Sequence, residues 1–62
     1  MIRVAVSGCA GRMGATVVEA VGAAPDMEVA CGIDPHGQSG AFPVFASVAE
    51  ALEGAEFDVL VD

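Results

Sequence analysis

Three glycines at three-residue intervals stand between an apolar run and a helical pattern near the start of the chain. Gly8, Gly11 and Gly14 follow the Val- and Ile-rich residues 2–7, and apolar side chains recur at helical spacing up to residue 24. The apolar run predicts a strand that is buried on both faces, as in a parallel sheet. A strand, a turn with the spacing G-x-x-G-x-x-G and a helix are typical of the phosphate-binding turn of a dinucleotide fold.

The rest of the chain predicts more α/β structure. Residues 27–33 form a second strand, residues 34–40 a loop, and residues 43–45 a short edge strand. Ser47 and Glu50 match a capping box and predict a short helix that Gly54 ends. Residues 57–61 form a final buried strand. The predicted fold class is α/β, a partial Rossmann-like parallel sheet with the order β-α-β-β-α-β. Right-handed crossovers place strand 27–33 on one side of strand 2–7, and strand 57–61 is expected on the other.

Composition excludes several classes of function. The net charge is −7, and Arg3 and Arg12 are the fixed cations, which argues against nucleic acid and anionic membranes as partners. No apolar stretch reaches the roughly 20 residues of a membrane span, and we expect residues 1–7 to be a strand and not a signal peptide. A hydrophobic content of 55% in 62 residues leads us to expect part of a larger, truncated domain. The glycine turn makes that an NAD(P)-binding domain, and two cysteines without metal-binding spacing are typical of thiols in a reducing cytoplasm.

The turn predicts a cofactor site in which each glycine has a separate role. Gly8 permits the tight turn, Gly11 allows close approach of the pyrophosphate, and Gly14 allows the helix to pack close to the sheet. Amides at the helix N-terminus supply donors and partial positive charge. The predicted cofactor-binding residues of the turn are Gly8, Cys9, Ala10, Gly11, Arg12, Met13 and Gly14. The alternative is a structural turn without a ligand.

Two side chains of this turn have open interpretations. Arg12 either contacts the phosphates or is a surface residue, and a cation at a helix N-terminus favours a nearby anion. Met13 packs either in the core or beside the adenine.

Asp34 is the predicted ribose-binding residue. It follows the second strand, 20 residues after Gly14, which is the distance expected of the acidic residue that accepts hydrogen bonds from the adenosine ribose. Its charge would repel a 2′-phosphate, and Pro35 and His36 offer no arginine. The sequence therefore predicts NADH as the preferred cofactor over NADPH. A solvated loop residue is the alternative for Asp34, and His36 is either a loop residue or a weak contact of the adenosine.

The sequence contains no constellation of acid, base and nucleophile, so no catalytic residue is predicted. Cys9 and Cys31 lack metal-binding spacing and the chain has one histidine, so no metal site is expected. Both thiols are expected to be free and buried or half-buried. The neighbouring helix N-terminus offers an alternative for Cys9, namely a lowered thiol pKa. Three phenylalanines, at positions 42, 45 and 57, are expected in the core.

Residues 4–14, with Gly-Arg-Met-Gly at positions 11–14, resemble the N-terminus of the dihydrodipicolinate reductase family. The similarity continues through residues 23–29, through Ile33 and Asp34, and through residues 57–62. It implies a Rossmann-like cofactor domain, with a separate substrate and tetramerisation domain outside this chain. It also implies hydride transfer from NADH or NADPH to a cyclic imine dicarboxylate in lysine and diaminopimelate biosynthesis, by a homotetramer. The family's catalytic His-His motif and lysine fall beyond residue 62.

By this resemblance, the pyrophosphate-binding turn falls on residues 8–13 and the acidic ribose contact on Asp34. Some family members carry an arginine next, which favours NADPH, whereas this chain has Pro35. Two other functions remain open: a non-catalytic nucleotide-binding or self-associating fragment, and a part of another NAD(P)-dependent Rossmann enzyme.

Overall fold

The structure, a computed structural model, describes residues 1–37 and 40–61 and has the predicted order of elements. Its strands and helices are β1 (Ile2–Ser7), α1 (Arg12–Ala23), β2 (Met27–Ile33), β3 (Val44–Phe45), α2 (Val48–Gly54) and β4 (Val59–Val61). Gln38 and Ser39 of the predicted loop, and Asp62 of the segment that resembles the reductase family, lie outside the described residues. No helix in the described ranges is long and apolar enough to cross a membrane.

The four strands form one parallel sheet in the order β3-β2-β1-β4. This order confirms the α/β class and the expected positions of the strands on either side of β1. The last strand is shorter than predicted and was wrongly expected to be buried. Val59 and Leu60 are 46% and 42% exposed, because β4 is an edge strand of the described sheet and pairs with β1 alone.

The core has two parts, one on each face of the sheet. Val4 and Val6 of β1 pack with Val21 of α1. Ala5 lies between them in sequence and therefore points to the opposite face, where it packs with Ala51 of α2. The helices thus cover opposite faces, and β1 contributes buried residues to both parts. This explains why its central residues are all apolar.

A β-bulge in β2 changes which face its residues contact. Val4 pairs with Val29, but the next residue, Ala5, pairs with Cys31, so Ala30 is an extra residue in the ladder. Val29 therefore packs on the α1 face, whereas Cys31 packs on the α2 face. Strict alternation would place both on the same face. Because of the bulge, Gly32 lies on the α1 face, next to the glycine turn.

The capping prediction for α2 is confirmed in its first half. The Ser47 hydroxyl accepts a hydrogen bond from the amide of Glu50 at 3.3 Å. The Glu50 carboxylate, however, accepts from the amide of Ala46 at 3.1 Å, one residue before the cap. Of the three phenylalanines, Phe45 and Phe57 pack against the α2-side core as expected.

Candidate functional site

The glycine turn links the end of β1 to the start of α1, and its shape depends on Gly8. The φ angle of Gly8 is +72°, in the left-handed region that glycine adopts without steric cost. Its amide donates to the carbonyl of Ile33 at 2.7 Å, and its carbonyl accepts from the amide of Gly11 at 2.9 Å. The predicted role of Gly8 in the tight turn is therefore confirmed.

Gly14 packs against this turn more closely than a side chain would permit. A Cβ atom at Gly14 would lie 2.6 Å from the carbonyl carbon of Gly8 and 2.8 Å from the Cα atom of Cys9. The prediction that Gly14 allows close packing holds, but the surface it contacts is the turn itself rather than the face of the sheet. At Gly11, a Cβ would meet the Gly8 carbonyl oxygen at 3.3 Å, a much milder contact.

The first turn of α1 presents backbone donors that have no partner in the part of the chain that the structure describes. Gly11 is the N-cap and has no side chain to accept from them, and the first turn has no acidic residue. The Gly11 carbonyl accepts the first helical hydrogen bond, from Ala15, at 2.9 Å. The amides of Arg12, Met13 and Gly14 make no hydrogen bond to any described residue, as is usual for the start of a helix. These three amides, together with the helix dipole, favour an anion.

The side chains of Arg12 and Met13 both project from the protein. Arg12 is exposed and has no ion pair within the described ranges, in contrast to Arg3, whose Nη1 lies 2.6 Å from Glu28 Oε1. Met13 is 81% exposed, so of its two interpretations, packing in the core is wrong. Its position one residue into the helix directs it away from the sheet, and packing beside the adenine stays a prediction.

Asp34 is attached to the glycine turn. Its Oδ2 atom accepts a hydrogen bond from the amide of Ala10 at 3.1 Å, and its Oδ1 atom accepts from the amide of His36 at 2.9 Å. The Asp34 amide donates to the carbonyl of Phe45 at 2.8 Å, which holds the backbone in place. These bonds tie the partly buried Asp34 to the turn, while its role as a ribose acceptor stays a prediction. An ionised carboxylate has about four lone-pair sites, so about two remain for hydroxyl groups of a ligand.

The side chain of Cys9 points from the turn towards Gly32 of β2. A Cβ atom at Gly32 would meet the Cβ of Cys9 at 3.0 Å and a ring carbon of Phe42 at 2.9 Å, so both side chains converge on this glycine. Burial raises the pKa of the Cys9 thiol, and the negative charge of Asp34 raises it further, while backbone hydrogen bonds oppose the shift less strongly. The lowered pKa considered for Cys9 is therefore wrong.

Cys31 is a free thiol that is fully buried on the α2 face, as expected of a core residue. Burial also raises the pKa of this thiol. Within residues 1–37 and 40–61, no group of three potential metal ligands comes together and no enclosed pocket forms. The candidate site is thus an open surface at the C-terminal edge of β1 and β2.

The comparison with protein families identifies this segment. The family model of the N-terminus of dihydrodipicolinate reductase matches residues 2–62. The chain belongs to the dihydrodipicolinate reductase family. A Thermomicrobium roseum protein named 4-hydroxy-tetrahydrodipicolinate reductase is 39% identical over an alignment of 71 residues, which covers 100% of this chain and 27% of that protein.

Other members of the dihydrodipicolinate reductase family show similar matches. A protein of the same name from Caldanaerobacter subterraneus subsp. tengcongensis is 37% identical, over 100% of this chain and 24% of its own length. One from Methanosphaera stadtmanae is 56% identical over 34 residues, which are 55% of this chain and 12% of that protein. No solved structure matches significantly. The chain thus spans about a quarter of the length of the two relatives that match it from end to end, and it corresponds to an N-terminal segment.

Sequence reasoning identified the turn and Asp34 but missed the direct contact between them. It also missed Phe42 as a neighbour of the turn, because residues 34–43 contain no pattern that fixes the path of a loop. A signal was present in β2: Gly32 interrupts an apolar strand. Glycine in a strand often marks a close approach of another segment, here the side chain of Cys9.

Proposed function

We propose that this chain is the N-terminal part of the dinucleotide-binding domain of a 4-hydroxy-tetrahydrodipicolinate reductase, with NAD(P)H bound across the glycine turn. The observation that carries the proposal is a set of three amides at the start of α1 that have no partner among the described residues, next to a carboxylate fixed just after β2. Donors for a pyrophosphate and acceptors for a ribose thus lie at the same edge of the sheet, where ligands of open α/β folds bind.

The pyrophosphate would lie against residues 8–14. The amides of Arg12, Met13 and Gly14 donate to it, and Arg12 adds positive charge from an exposed position without a competing carboxylate in the described ranges. The helix dipole contributes about 0.3–1 kcal/mol for an anion at an exposed site. Gly11 leaves the approach open, since it has no Cβ atom and its φ of −82° does not by itself require glycine.

The adenosine ribose would lie against Asp34. The two oxygens already accept backbone hydrogen bonds, which fixes the orientation of the carboxylate. Its remaining lone pairs suit the 2′- and 3′-hydroxyls, while a 2′-phosphate would bring a second negative charge to it. We therefore propose NADH as the preferred cofactor and NADPH as the weaker one.

The activity of the whole protein follows from the family. When bound, NAD(P)H supplies a hydride, and the acceptor would be a cyclic imine of the dihydrodipicolinate type in lysine and diaminopimelate biosynthesis. This chain's own residues bind and orient the cofactor; the substrate site and catalytic residues belong to other parts of the protein. We further propose a homotetramer, because the family resemblance implies one, and a cytoplasmic location, which suits two free thiols.

Two glycines of the same helical region provide a matched test of the site. In protein expressed from the complete gene, we expect Gly11→Ala to weaken NADH binding about tenfold or more, because the new Cβ occupies the approach of the pyrophosphate. Gly22→Ala is the control, since a Cβ there has no atom within 4 Å. Both are measured by calorimetry with NADH. Equal affinities of the two variants would refute the assigned turn.

The preference between cofactors is tested separately, through kcat/KM with each one. We expect a higher value with NADH in the parent protein and a reduced preference in Asp34→Asn, which has lost the charge. Equal or better use of NADPH by the parent would refute the proposed preference while leaving the turn assignment intact.

A further inference from the structure

Asp34 has a contact that its proposed ribose-binding role does not require. The Oδ2 atom accepts from the amide of Ala10, across 24 residues of sequence and from a different element. Ala10 is in the middle of the turn, between Gly8 and Gly11, whose own hydrogen bond closes the turn at 2.9 Å. The Asp34 carboxylate is the hydrogen-bond acceptor that the structure describes for the amide of Ala10.

We infer that Asp34 is a positioning residue for the glycine turn as well as the ribose acceptor, so that one carboxylate couples the ribose and pyrophosphate halves of the site. The inference rests on the proposed function. The backbone of Gly8 is in the left-handed conformation, and Gly11, the N-cap, has no side chain that could bond to the first turn of the helix. A turn with such freedom gains order from an external hydrogen bond, and a preorganised site binds more tightly because less entropy is lost on binding.

Backbone hydrogen bonds and the register of β2 hold the carboxylate in place for this task. The amide of His36 donates to Oδ1 at 2.9 Å, and the amide of Gly37 donates to the Asp34 carbonyl at 3.1 Å, which closes a tight turn after β2. The Asp34 amide bonds to Phe45 of β3. Gly32 and Asp34 are two positions apart and therefore share an orientation, which the bulge at Ala30 directs towards the α1 face and the turn.

The charge of Asp34 and its positioning role predict opposite effects on the binding of a phosphate ligand when the side chain is removed. A carboxylate near an anion site repels the anion, so loss of its charge alone would strengthen the binding of a phosphate ligand. Loss of the hydrogen bond that orders the turn would weaken it. Inorganic pyrophosphate separates the two, because it has no ribose for Asp34 to contact.

The test uses protein expressed from the complete gene. We expect Asp34→Ala to bind inorganic pyrophosphate about fivefold more weakly than the parent, the equivalent of one net hydrogen bond. Glu19→Ala is the control, since it removes an exposed acidic residue of α1 that makes no hydrogen bond to the turn. Equal or tighter binding by Asp34→Ala would overturn the positioning role.

A second measurement needs no ligand. It therefore tests the positioning role even if pyrophosphate fails to bind the parent protein, and that failure would count against the proposed function. Residue-resolved hydrogen–deuterium exchange should show about tenfold faster exchange at the amide of Ala10 in Asp34→Ala. Asp34→Asn has a single acceptor oxygen for two amide donors and should lie between the parent and the alanine variant. Unchanged exchange at Ala10 in both variants would overturn the inference.

Discussion

Replacement of Gly14 by alanine tests the packing of α1 against the turn. The new Cβ would lie 2.6 Å from the carbonyl carbon of Gly8 and 2.8 Å from the Cα atom of Cys9. Both are backbone atoms, and Gly14 is buried, so no flexible side chain can move aside. Overpacking of this kind typically costs about 1–3 kcal/mol.

Alanine also favours a helix over glycine, by up to about 1 kcal/mol, and this gain must be separated from the clash. Gly22→Ala provides the reference, because position 22 is in the same helix and a Cβ there has no atom within 4 Å. We expect Gly22→Ala to be neutral or stabilising. The difference between the two variants therefore measures the steric cost at Gly14, about 1–3 kcal/mol.

Thermal unfolding of the protein from the complete gene is the assay. For a protein of 150–250 residues, each kcal/mol shifts Tm by roughly 2–4 °C, so Gly14→Ala should melt several degrees below Gly22→Ala. NADH affinity should fall as well, because Gly8 and Cys9 must move to relieve the contact. If both variants melt at the same temperature, the close approach of α1 to the turn is refuted.

Three further predictions concern other contacts. Ser47→Ala should lower the free energy of unfolding by about 1 kcal/mol, since it removes the cap of α2; unchanged urea denaturation would contradict this. Glu28→Gln should lower the free energy of unfolding by less than about 1 kcal/mol, because its ion pair with Arg3 is exposed. Arg3→Ala should lower it by more, because Arg3 Nε also donates a hydrogen bond to the Glu56 carbonyl at 2.9 Å. Iodoacetamide should alkylate Cys9 more slowly than free cysteine at neutral pH, because the raised pKa of the thiol lowers its thiolate fraction. The rate, measured by peptide mass spectrometry, should rise with pH. A rate at neutral pH as fast as that of free cysteine would be inconsistent with the raised pKa.

The order of elements could be predicted because each signal is local. The spacing of Gly8, Gly11 and Gly14 follows from backbone conformation and close packing within a few residues, and the cap at Ser47 is decided by Glu50 three positions later. The position of Asp34 after β2 is also a matter of spacing. Such features depend on covalent geometry and short-range hydrogen bonds, which the sequence specifies directly.

Contacts between distant segments were not predictable in the same way. The alternation of β2 places Val29 and Cys31 on one face, but the bulge at Ala30 separates them. Met13 fits the helical apolar pattern and is nevertheless exposed, because it lies in the first turn, beyond the part of α1 that covers the sheet. The thiol pKa of Cys9 was misjudged for the same reason, since burial and the charge of Asp34 both come from β2 and the loop after it.

The sequence by itself therefore determined the parallel α/β fold, the glycine turn and the acidic residue that follows β2. The tertiary structure decided that the carboxylate of Asp34 accepts a hydrogen bond from the amide of Ala10 and that the turn packs over Gly32. The physical reason is the register between β1 and β2. It is fixed by packing on both faces of the sheet at once, and a single extra residue reverses every side chain that follows.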